Sequence, residues 1–267
     1  MKAFFYFSDT KNQTFMKSPI CLNCNEATER NYCSNCGQKT DTHRINFKHF
    51  FVHDILNGVW HMEKGILFTM KEALTRPGKA ALDYIGGKRI KYYNVFYLTV
   101  LLVGLQLFLA NYYEHLQTIY FPERLEETQK IAQKNYAFLS DYGKILILSL
   151  IPLFAFNSFI VFRRKRLNLS EHFIISGMVF LGVMIITLVS TILSFLDFLE
   201  NFSTIALIID RSTPVILLLF ISYGYYKAFQ SVYSKTALFL RVIAFDVLLI
   251  LLLLVMSLFL IILSNFL

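Results

Sequence analysis

Long apolar runs dominate the last two thirds of the chain, and they predict membrane-spanning helices. A helix needs roughly 20 mostly apolar residues to cross the hydrocarbon core of a bilayer. Unbroken apolar runs indicate helices, whereas the strands of a membrane barrel alternate apolar and polar residues. The fourth of these runs gives the weakest signal, because Pro214 lies near its start. The five windows that come close to the required length are 94–113, 144–162, 173–196, 212–229 and 242–263.

Ahead of these runs, apolar residues between positions 46 and 73 recur every three or four residues, which predicts an amphipathic helix. A second short helix is predicted over residues 77–85, since Pro77 suits a first helical turn and Gly86 with Gly87 suits a helix end. Such helices are expected to lie in the membrane interface or to pack beneath the transmembrane bundle.

The composition also indicates a membrane protein. Hydrophobic residues make up 55% of the 267 residues and charged residues only 16%, with a mean hydropathy of +0.50. An average soluble domain has about 25% charged residues. Residues 1–93 carry 14 Lys or Arg against 8 Asp or Glu, whereas residues 94–267 carry 12 against 10. We therefore expect the N-terminal third to be exposed to water and the rest to be embedded in the membrane.

The basic residues of the short loops predict the orientation, because cytoplasmic loops are enriched in Lys and Arg. Basic clusters precede the first span, follow the second and separate the fourth from the fifth: Lys88, Arg89, Lys91; Arg163, Arg164, Lys165, Arg166; Lys227, Lys235, Arg241. The acid-richer loops at 115–143 and 197–211 alternate with them. The first residues contain no apolar run long enough for a signal peptide. We expect a cytoplasmic N-terminus and an extracytoplasmic C-terminus.

The cysteines of the chain form two CxxC pairs separated by eight residues: Cys21, Cys24, Cys33 and Cys36. This spacing suits four thiolates around one tetrahedral zinc ion, Zn²⁺. Asn25 and Gly37 directly follow the two pairs, and both residue types tolerate the positive φ that a knuckle turn requires. Two disulfides are the alternative, which a reducing cytoplasm disfavours. Iron in the same sulfur cage stays open.

A closed four-cysteine site leaves no open coordination position, so its expected role is to stabilise a small ribbon that lacks an apolar core. The predicted fold class is therefore an all-α integral membrane protein, with about five transmembrane helices preceded by a small cytoplasmic zinc ribbon and amphipathic interfacial helices. The predicted parts are an N-terminal extension at 1–17, the ribbon at 18–42, the amphipathic helices at 43–93 and the transmembrane domain at 94–267.

Several polar residues are candidates for a functional site. His49 and His53 lie one helical turn apart, with Asp54 adjacent and His61 two turns further on. That spacing suits a metal site, but an interfacial helix with histidines on its polar face is the simpler interpretation. Asp246 lies inside the fifth predicted span, where an ionisable residue is costly and often functional; a structural pair with a nearby cation is the alternative.

Basic residues around the second short helix form a candidate site for an anionic lipid headgroup or another phosphate: Arg76, Lys88, Arg89 and Lys91. Anchoring at the cytoplasmic membrane surface would by itself explain Lys88 and Arg89. Four hydroxyl residues share one face of the third predicted span: Thr187, Ser190, Thr191 and Ser194. Such a face usually holds helices together and less often lines a path through the membrane.

The motifs of the first third resemble those of a bacterial family of polytopic inner-membrane proteins, of the type found in Bacteroidota, which carries a domain of unknown function. Members have a CxxC…CxxCG zinc ribbon, then an RPG turn and a GKR element before the first span. The corresponding residues here are Cys21, Cys24, Cys33, Cys36-Gly37, Arg76-Pro77-Gly78 and Gly87-Lys88-Arg89. The resemblance covers roughly residues 20–110. It implies a zinc cofactor and an inner-membrane location, and it implies no activity.

Three functions fit these features: a cytoplasmic docking module in a membrane assembly, a transporter or lipid-handling protein, and a membrane enzyme on a lipid-linked substrate. The chain has no nucleophile elbow, P-loop, HExxH or dinucleotide fingerprint, so the docking module is preferred over an enzyme. Expected partners are membrane lipids and either a second protein or further copies of this chain. Nucleic acid is disfavoured, because Arg30 is the one base between Cys21 and Cys36, against Glu26 and Glu29.

Overall fold

The computed structural model describes residues 20–28, 31–40, 65–122, 147–199 and 201–266. Within these ranges the chain is helical, apart from the cysteine segment, where isolated β-bridges replace strands. This architecture confirms the predicted all-α fold class. The helices are α1 (Ile66–Thr75), α2 (Pro77–Ile85), α3 (Val95–Tyr120), α4 (Ile147–Val161), α5 (Leu169–Ser194), α6 (Ser203–Phe229) and α7 (Lys235–Phe266). Short 3-10 turns follow α4 at Arg163–Lys165 and α5 at Phe195–Phe198.

Four of the described helices are long and apolar enough to cross a membrane, namely α3, α5 with its 3-10 turn, α6 and α7. The chain is therefore a multi-pass membrane protein by the length and composition of its helices. The second predicted span, 144–162, contains a further apolar helix, α4. The described part of this helix covers Ile147–Val161, and residues 144–146 of the predicted span lie outside the described residues. The total of about five spans therefore stays a prediction.

Helices α6 and α7 begin well before their apolar windows. Helix α6 starts at Ser203 and continues through Pro214, whereas the predicted span started at residue 212. The hydroxyls of Ser212 and Thr213 donate to the Ile209 carbonyl, at 3.0 and 2.8 Å, next to the turn that the proline interrupts. Side-chain hydrogen bonds of this kind let membrane helices tolerate proline. Helix α7 likewise begins at Lys235, because a helix continues beyond its apolar window into the polar interface.

Helices α1 and α2 pack directly against α5 and α6. A Cβ on Gly78 would lie 2.2 Å from the carbonyl oxygen of Gly224 and 2.5 Å from the backbone nitrogen of Ala228. The backbones of α2 and α6 therefore touch at the RPG turn. A Cβ on Gly182 of α5 would similarly lie 2.7 Å from the carbonyl oxygen of Ala73 in α1. The sequence left two locations open for such helices, the membrane interface and the transmembrane bundle. Helices α1 and α2 pack on the bundle.

The predicted boundaries of α2 are confirmed, and its ends explain why. Pro77 lies in its first turn, where a missing N–H breaks no hydrogen bond. Gly86 caps its C-terminus, and Gly87 adopts a φ of +99° that a residue with a Cβ rarely adopts. Thr75 ends α1, and its hydroxyl donates back to the carbonyl of Lys71 at 2.8 Å.

Candidate metal centre

The four cysteine sulfurs form one compact cluster. The Sγ atoms of Cys21 and Cys36 are 3.6 Å apart, those of Cys24 and Cys33 are 3.5 Å apart, and all four lie within 4.8 Å of one another. A tetrahedral metal with metal–sulfur bonds of about 2.3 Å separates its sulfurs by about 3.8 Å. A disulfide would bring two of them to about 2.05 Å. The donor set therefore fits a single metal ion, and the thiols are not paired in disulfides.

The two CxxC pairs fold into equivalent knuckles. In the first, the Cys21 N–H donates to the Glu26 carbonyl at 2.8 Å, and the Asn25 N–H donates to the Cys21 carbonyl at 2.9 Å. The second knuckle repeats both hydrogen bonds twelve positions later, at the same lengths, with Cys33, Gly37 and Gln38 in the corresponding places. Asn25 has a φ of 62° and Gly37 a φ of 74°, which confirms the prediction made for both.

The hydrogen bonds of the knuckles also act on the thiols. Desolvation raises the pKa of Cys36, but hydrogen bonds from the Asn23 side chain and the Gln38 backbone outweigh it and lower this pKa to about 6. A backbone hydrogen bond from Glu26 lowers the pKa of Cys24, whereas desolvation and the other three thiols together raise it to about 12. Cys36 thus favours the thiolate form, and ionisation of Cys24 is opposed unless a cation compensates the charge, as a bound metal does.

The cysteine ribbon is fixed to the membrane domain through the loop between α2 and α3. The buried Gln38 side chain donates from Nε2 to the Gly87 carbonyl at 2.7 Å. Its Oε1 accepts from the Arg89 N–H at 3.1 Å and from the Ile90 N–H at 3.4 Å. From the other knuckle, Leu22 covers Gly87 so closely that a Cβ there would lie 2.6 Å from the Leu22 Cδ1.

Sequence reasoning missed Gln38, because nothing in a CxxCGQ sequence indicates a contact fifty residues away. The Gly86-Gly87 pair was the one local signal of this contact, and its prediction as a helix end accounted for it without a second role. The structure gives Gly87 a second role, since its missing side chain admits Leu22. Both knuckles therefore contact the same short loop, and the ribbon cannot turn relative to the helices without breaking these contacts.

Replacing Gln38 with leucine should free the ribbon without removing its metal. The substitution removes three hydrogen bonds and leaves the Ile90 N–H without this acceptor, while the Arg89 N–H keeps its bond to the Gly87 carbonyl, so we expect local stability to fall by about 2–3 kcal/mol. Hydrogen exchange of the Arg89 and Ile90 amides should accelerate by at least about thirtyfold, since 1.4 kcal/mol corresponds to a factor of ten. Metal content should stay at the wild-type level.

The matched control for Gln38 is Glu26, which occupies the same place in the first knuckle but is exposed. Glu26→Leu should leave the exchange of the Arg89 and Ile90 amides within about twofold of wild type. Equal protection of these amides in Gln38→Leu and in wild type would show that the ribbon is held by something other than this side chain.

The predicted phosphate-binding residues do not share one open site. Arg76 forms an ion pair with Glu72, one helical turn away in α1, and this carboxylate raises the pKa of the Arg76 guanidinium. Burial raises the pKa of the Tyr92 hydroxyl, and the carboxylates of Asp83 and Glu72 raise it further. Tyr92 thus lies between the acids of α1 and α2, and the cluster around Arg76 combines both signs of charge.

The other three basic candidates lie at the end of α2. Lys88 pairs with Asp83 at 3.1 Å between Nζ and Oδ1, and Arg89 lies over the Tyr84 ring, 5.7 Å from its centroid. Lys91 is exposed. Two of the four predicted cations are therefore already neutralised by acids of the same pair of helices, which makes a shared phosphate site here a weaker hypothesis than the sequence indicated.

Arg76→Gln should destabilise the packing of α1 by about 2 kcal/mol. It leaves the carboxylate of Glu72, which is only 5% exposed, without its cation. Breaking a fully buried pair costs about 3–5 kcal/mol, and the 39% exposure of the Arg76 side chain reduces this figure. Thermal unfolding of the protein in detergent measures the effect, and the double variant Glu72→Gln/Arg76→Gln should recover more than half of it.

Lys79→Gln is the matched control for Arg76→Gln, because it removes the same charge from an exposed position of α2. We expect it to change stability by less than about 0.5 kcal/mol. If Arg76→Gln were no more destabilising than Lys79→Gln, the ion pair would not stabilise α1.

Within the bundle, Asp246 accepts a hydrogen bond from the Ser222 hydroxyl at 2.7 Å, which links α7 to α6. The alternative expectation was a pair with a cation. The nearest cation in sequence, Arg241, donates instead to the Val161 carbonyl and lies over the Tyr233 ring, 4.8 Å from its centroid. Asp246 thus joins two helices, and its second carboxylate oxygen is buried without a hydrogen bond in the described part of the chain.

The polar face of α5 holds helices together. Ser190 shares a hydrogen bond with Thr213 of α6 at 2.6 Å, and Thr191 accepts from the Gln106 side chain of α3 at 2.7 Å. Ser194 donates to Asp210 of α6, and the Thr187 hydroxyl donates to a carbonyl of its own helix. Three of the four predicted residues therefore bond to a neighbouring helix, which favours packing over a conducting path.

A buried polar group at the junction of α4, α5 and α6 was not predicted. The Ser158 hydroxyl and the His172 Nδ1 are 2.7 Å apart, and the hydroxyls of Ser176 and Tyr225 are 2.8 Å apart. All four residues are at most 1% exposed. His172 lies one residue before the predicted third span, so a window that extended to the adjacent polar residues would have included it. Complete burial gives this group a structural role.

The remaining candidates, His49, His53, Asp54 and His61, lie outside the described residues, so the metal or polar site that they suggested stays a prediction.

Residues 63–103 match a protein family described as a protein of unknown function (DUF3667). The matched segment contains α1, α2, the loop that holds the ribbon and the start of α3. It begins after the cysteines. No curated protein matches the chain. No solved structure matches it either.

Proposed function

We propose that this chain is a protein of the bacterial inner membrane whose zinc ribbon is a docking module for a protein partner on the cytoplasmic side. In this orientation the ribbon, α1 and α2 are cytoplasmic, and α7 ends on the opposite side. The proposal is supported by the alternation of basic and acidic loops, which places Lys88, Arg163 and Lys227 on one face. A reducing cytoplasm also agrees with four cysteines that are not in disulfides.

Zinc is the metal that we assign to the cysteine cluster. Four thiolates suit zinc, and among the described residues no other ligand type joins the cluster. A closed site of this kind contributes folding energy rather than catalysis, which is what a small segment with isolated bridges in place of strands requires.

The observation that carries the docking role is the attachment of the ribbon by the buried Gln38 side chain. A ribbon that served only as a tail would not need a fixed orientation relative to the helices. Ile20 and Tyr32 occupy equivalent positions in the two knuckles and are 51% and 60% exposed. Exposed aromatic and aliphatic side chains on a rigid support are typical anchor residues of protein interfaces.

Site-specific photocrosslinking in native membranes tests this role. A photoreactive phenylalanine analogue at Tyr32, and separately at Ile20, should each give one adduct of the same discrete mass. An adduct of twice the chain mass would identify a second copy as the partner, and any other mass a different protein. The same probe at Leu101, which is 62% exposed on α3, controls for contacts made by lipid-facing positions.

The adduct should also depend on the metal and on the orientation of the ribbon. With the probe at Tyr32, we expect Cys24→Ser to abolish the adduct and Gln38→Leu to reduce its yield strongly, while both variants stay in the membrane. Absence of an adduct from both positions, or an adduct that survives Cys24→Ser unchanged, would contradict a docking role for the folded ribbon.

A further inference from the structure

Arginines gather at the C-terminal end of α4. The Arg163 side chain donates from Nε to the Ile160 carbonyl at 3.1 Å, and Arg241 of α7 donates to the Val161 carbonyl. Ile160 and Val161 are the last residues of α4, so both guanidinium groups are held at one helix end. Cations are favourable there, because the carbonyls of the last turn carry partial negative charge.

Tyr233 holds the backbone of a third arginine next to this helix end. Its hydroxyl accepts the backbone N–H of Arg164 at 2.8 Å, while the Arg241 guanidinium lies over its ring. The 3-10 turn over Arg163–Lys165 and the left-handed conformation of Arg166, with a φ of 50°, directly follow this helix end. We call Arg163, Arg164 and Arg241 the α4 arginine corner.

The α4 arginine corner differs in one respect from the basic group that the sequence singled out. Arg76 and Lys88 are each paired with an acid of α1 or α2. In the part of the chain that the structure describes, no carboxylate contacts Arg163, Arg164 or Arg241. A guanidinium has five N–H donors, and capping α4 uses one on Arg163 and one on Arg241. The positive charge of this corner is therefore not compensated by the described residues.

We propose that the α4 arginine corner binds the phosphate of an anionic phospholipid headgroup. The planar set of N–H donors on a guanidinium matches the oxygens of a phosphate. Several such cations around one phosphate can bind it without another kind of ligand. The adjacent surface fits acyl chains, since Ile160, Leu240 and Ile243 are 51%, 66% and 43% exposed on α4 and α7. A soluble phosphate ester would use the arginines but not this apolar surface. The proposal is independent of the docking role of the ribbon.

Native mass spectrometry of the full-length protein tests the lipid site. The protein is delipidated in mild detergent and titrated with phosphatidylglycerol or with phosphatidylcholine. Each basic residue near an anionic headgroup contributes about a fivefold change in affinity, so we expect a preference for phosphatidylglycerol of about a hundredfold. Arg164→Gln should weaken phosphatidylglycerol binding about fivefold. Removing all three arginines, as Arg163→Gln/Arg164→Gln/Arg241→Gln, should abolish the preference.

Arg164→Gln decides the test even if the triple variant fails to fold, because the contact of Arg164 with Tyr233 uses its backbone N–H and survives the substitution. The matched control is Lys71→Gln/Lys79→Gln, which removes two exposed charges from α1 and α2 and should leave binding within about twofold. Equal binding of the two lipids, or no difference between Arg164→Gln and this control, would overturn the proposal. Displacement of the lipid by an equal concentration of glycerol phosphate would assign the site to a soluble phosphate ester instead.

Discussion

Replacing Cys24 with serine should release the metal and unfold the ribbon while the membrane helices stay folded. A structural zinc site contributes about 10–16 kcal/mol to folding in isolated zinc-finger peptides, and the remaining three thiolates cannot complete the tetrahedron. The described ribbon has two isolated bridges and no apolar core of its own apart from the cysteines, so little else opposes unfolding. We expect the metal content to fall from about one ion per chain to near zero.

Limited proteolysis measures the second part of this expectation. Lys39 pairs with Tyr32 in the second knuckle, so cleavage after Lys39 requires the ribbon to open. A loss of only 3 kcal/mol in local stability would accelerate cleavage about a hundredfold, and we expect at least that factor. The helices should keep their unfolding temperature in detergent, because their buried residues form a separate cluster.

Ser34→Ala is the matched control, since Ser34 lies between Cys33 and Cys36 and is exposed. It should change neither the metal content nor the cleavage rate. If Cys24→Ser retained both metal and protease resistance, the four sulfurs would not form the metal site, and the fold of the ribbon would need another cause.

Replacing Gly78 with alanine should disrupt the packing of α2 on α6. The added Cβ would meet the Gly224 carbonyl oxygen at 2.2 Å and the Ala228 nitrogen at 2.5 Å. Both are backbone atoms, so no side chain can rotate out of the way, and one helix must move. Overpacking costs about 1–3 kcal/mol where side chains adjust and more where they do not. We therefore expect a loss of about 3 kcal/mol or more in the free energy of unfolding, measured in detergent.

Two further glycines calibrate this effect. A Cβ on Gly104 of α3 meets nothing within 4 Å, so Gly104→Ala should change stability by less than about 1 kcal/mol. At Gly224 the closest atom is the Val179 Cγ2 at 2.8 Å, a side-chain atom, so Gly224→Ala should fall between the two. Equal stability of Gly78→Ala and Gly104→Ala would mean that α2 does not contact α6 at this distance.

The local features of the chain were predictable from the sequence. The cysteine spacing identified the four members of the cluster, and the positive φ at Asn25 and Gly37 follows from the turn that each CxxC pair makes. The bounds of α2 follow from Pro77 and Gly86, since both act within one turn. Long apolar runs correctly indicated a helical membrane protein, because the bilayer imposes the same length requirement on every span.

The contacts between distant segments were not predictable in the same way. The attachment of Gln38 to Gly87 and the approach of Gly78 to Gly224 join residues far apart in sequence, and neither leaves a local pattern. The partner of Asp246 is a serine on another helix rather than the cation nearest in sequence, for the same reason.

X-ray absorption at the zinc edge, combined with elemental analysis of the purified full-length protein, tests the central claim most directly. The account predicts about one zinc ion per chain, with four sulfur ligands at about 2.3 Å and no nitrogen or oxygen ligand. A folded preparation without zinc, a site with another metal, or a zinc ion with fewer than four sulfur ligands would contradict the closed zinc ribbon on which the docking role depends.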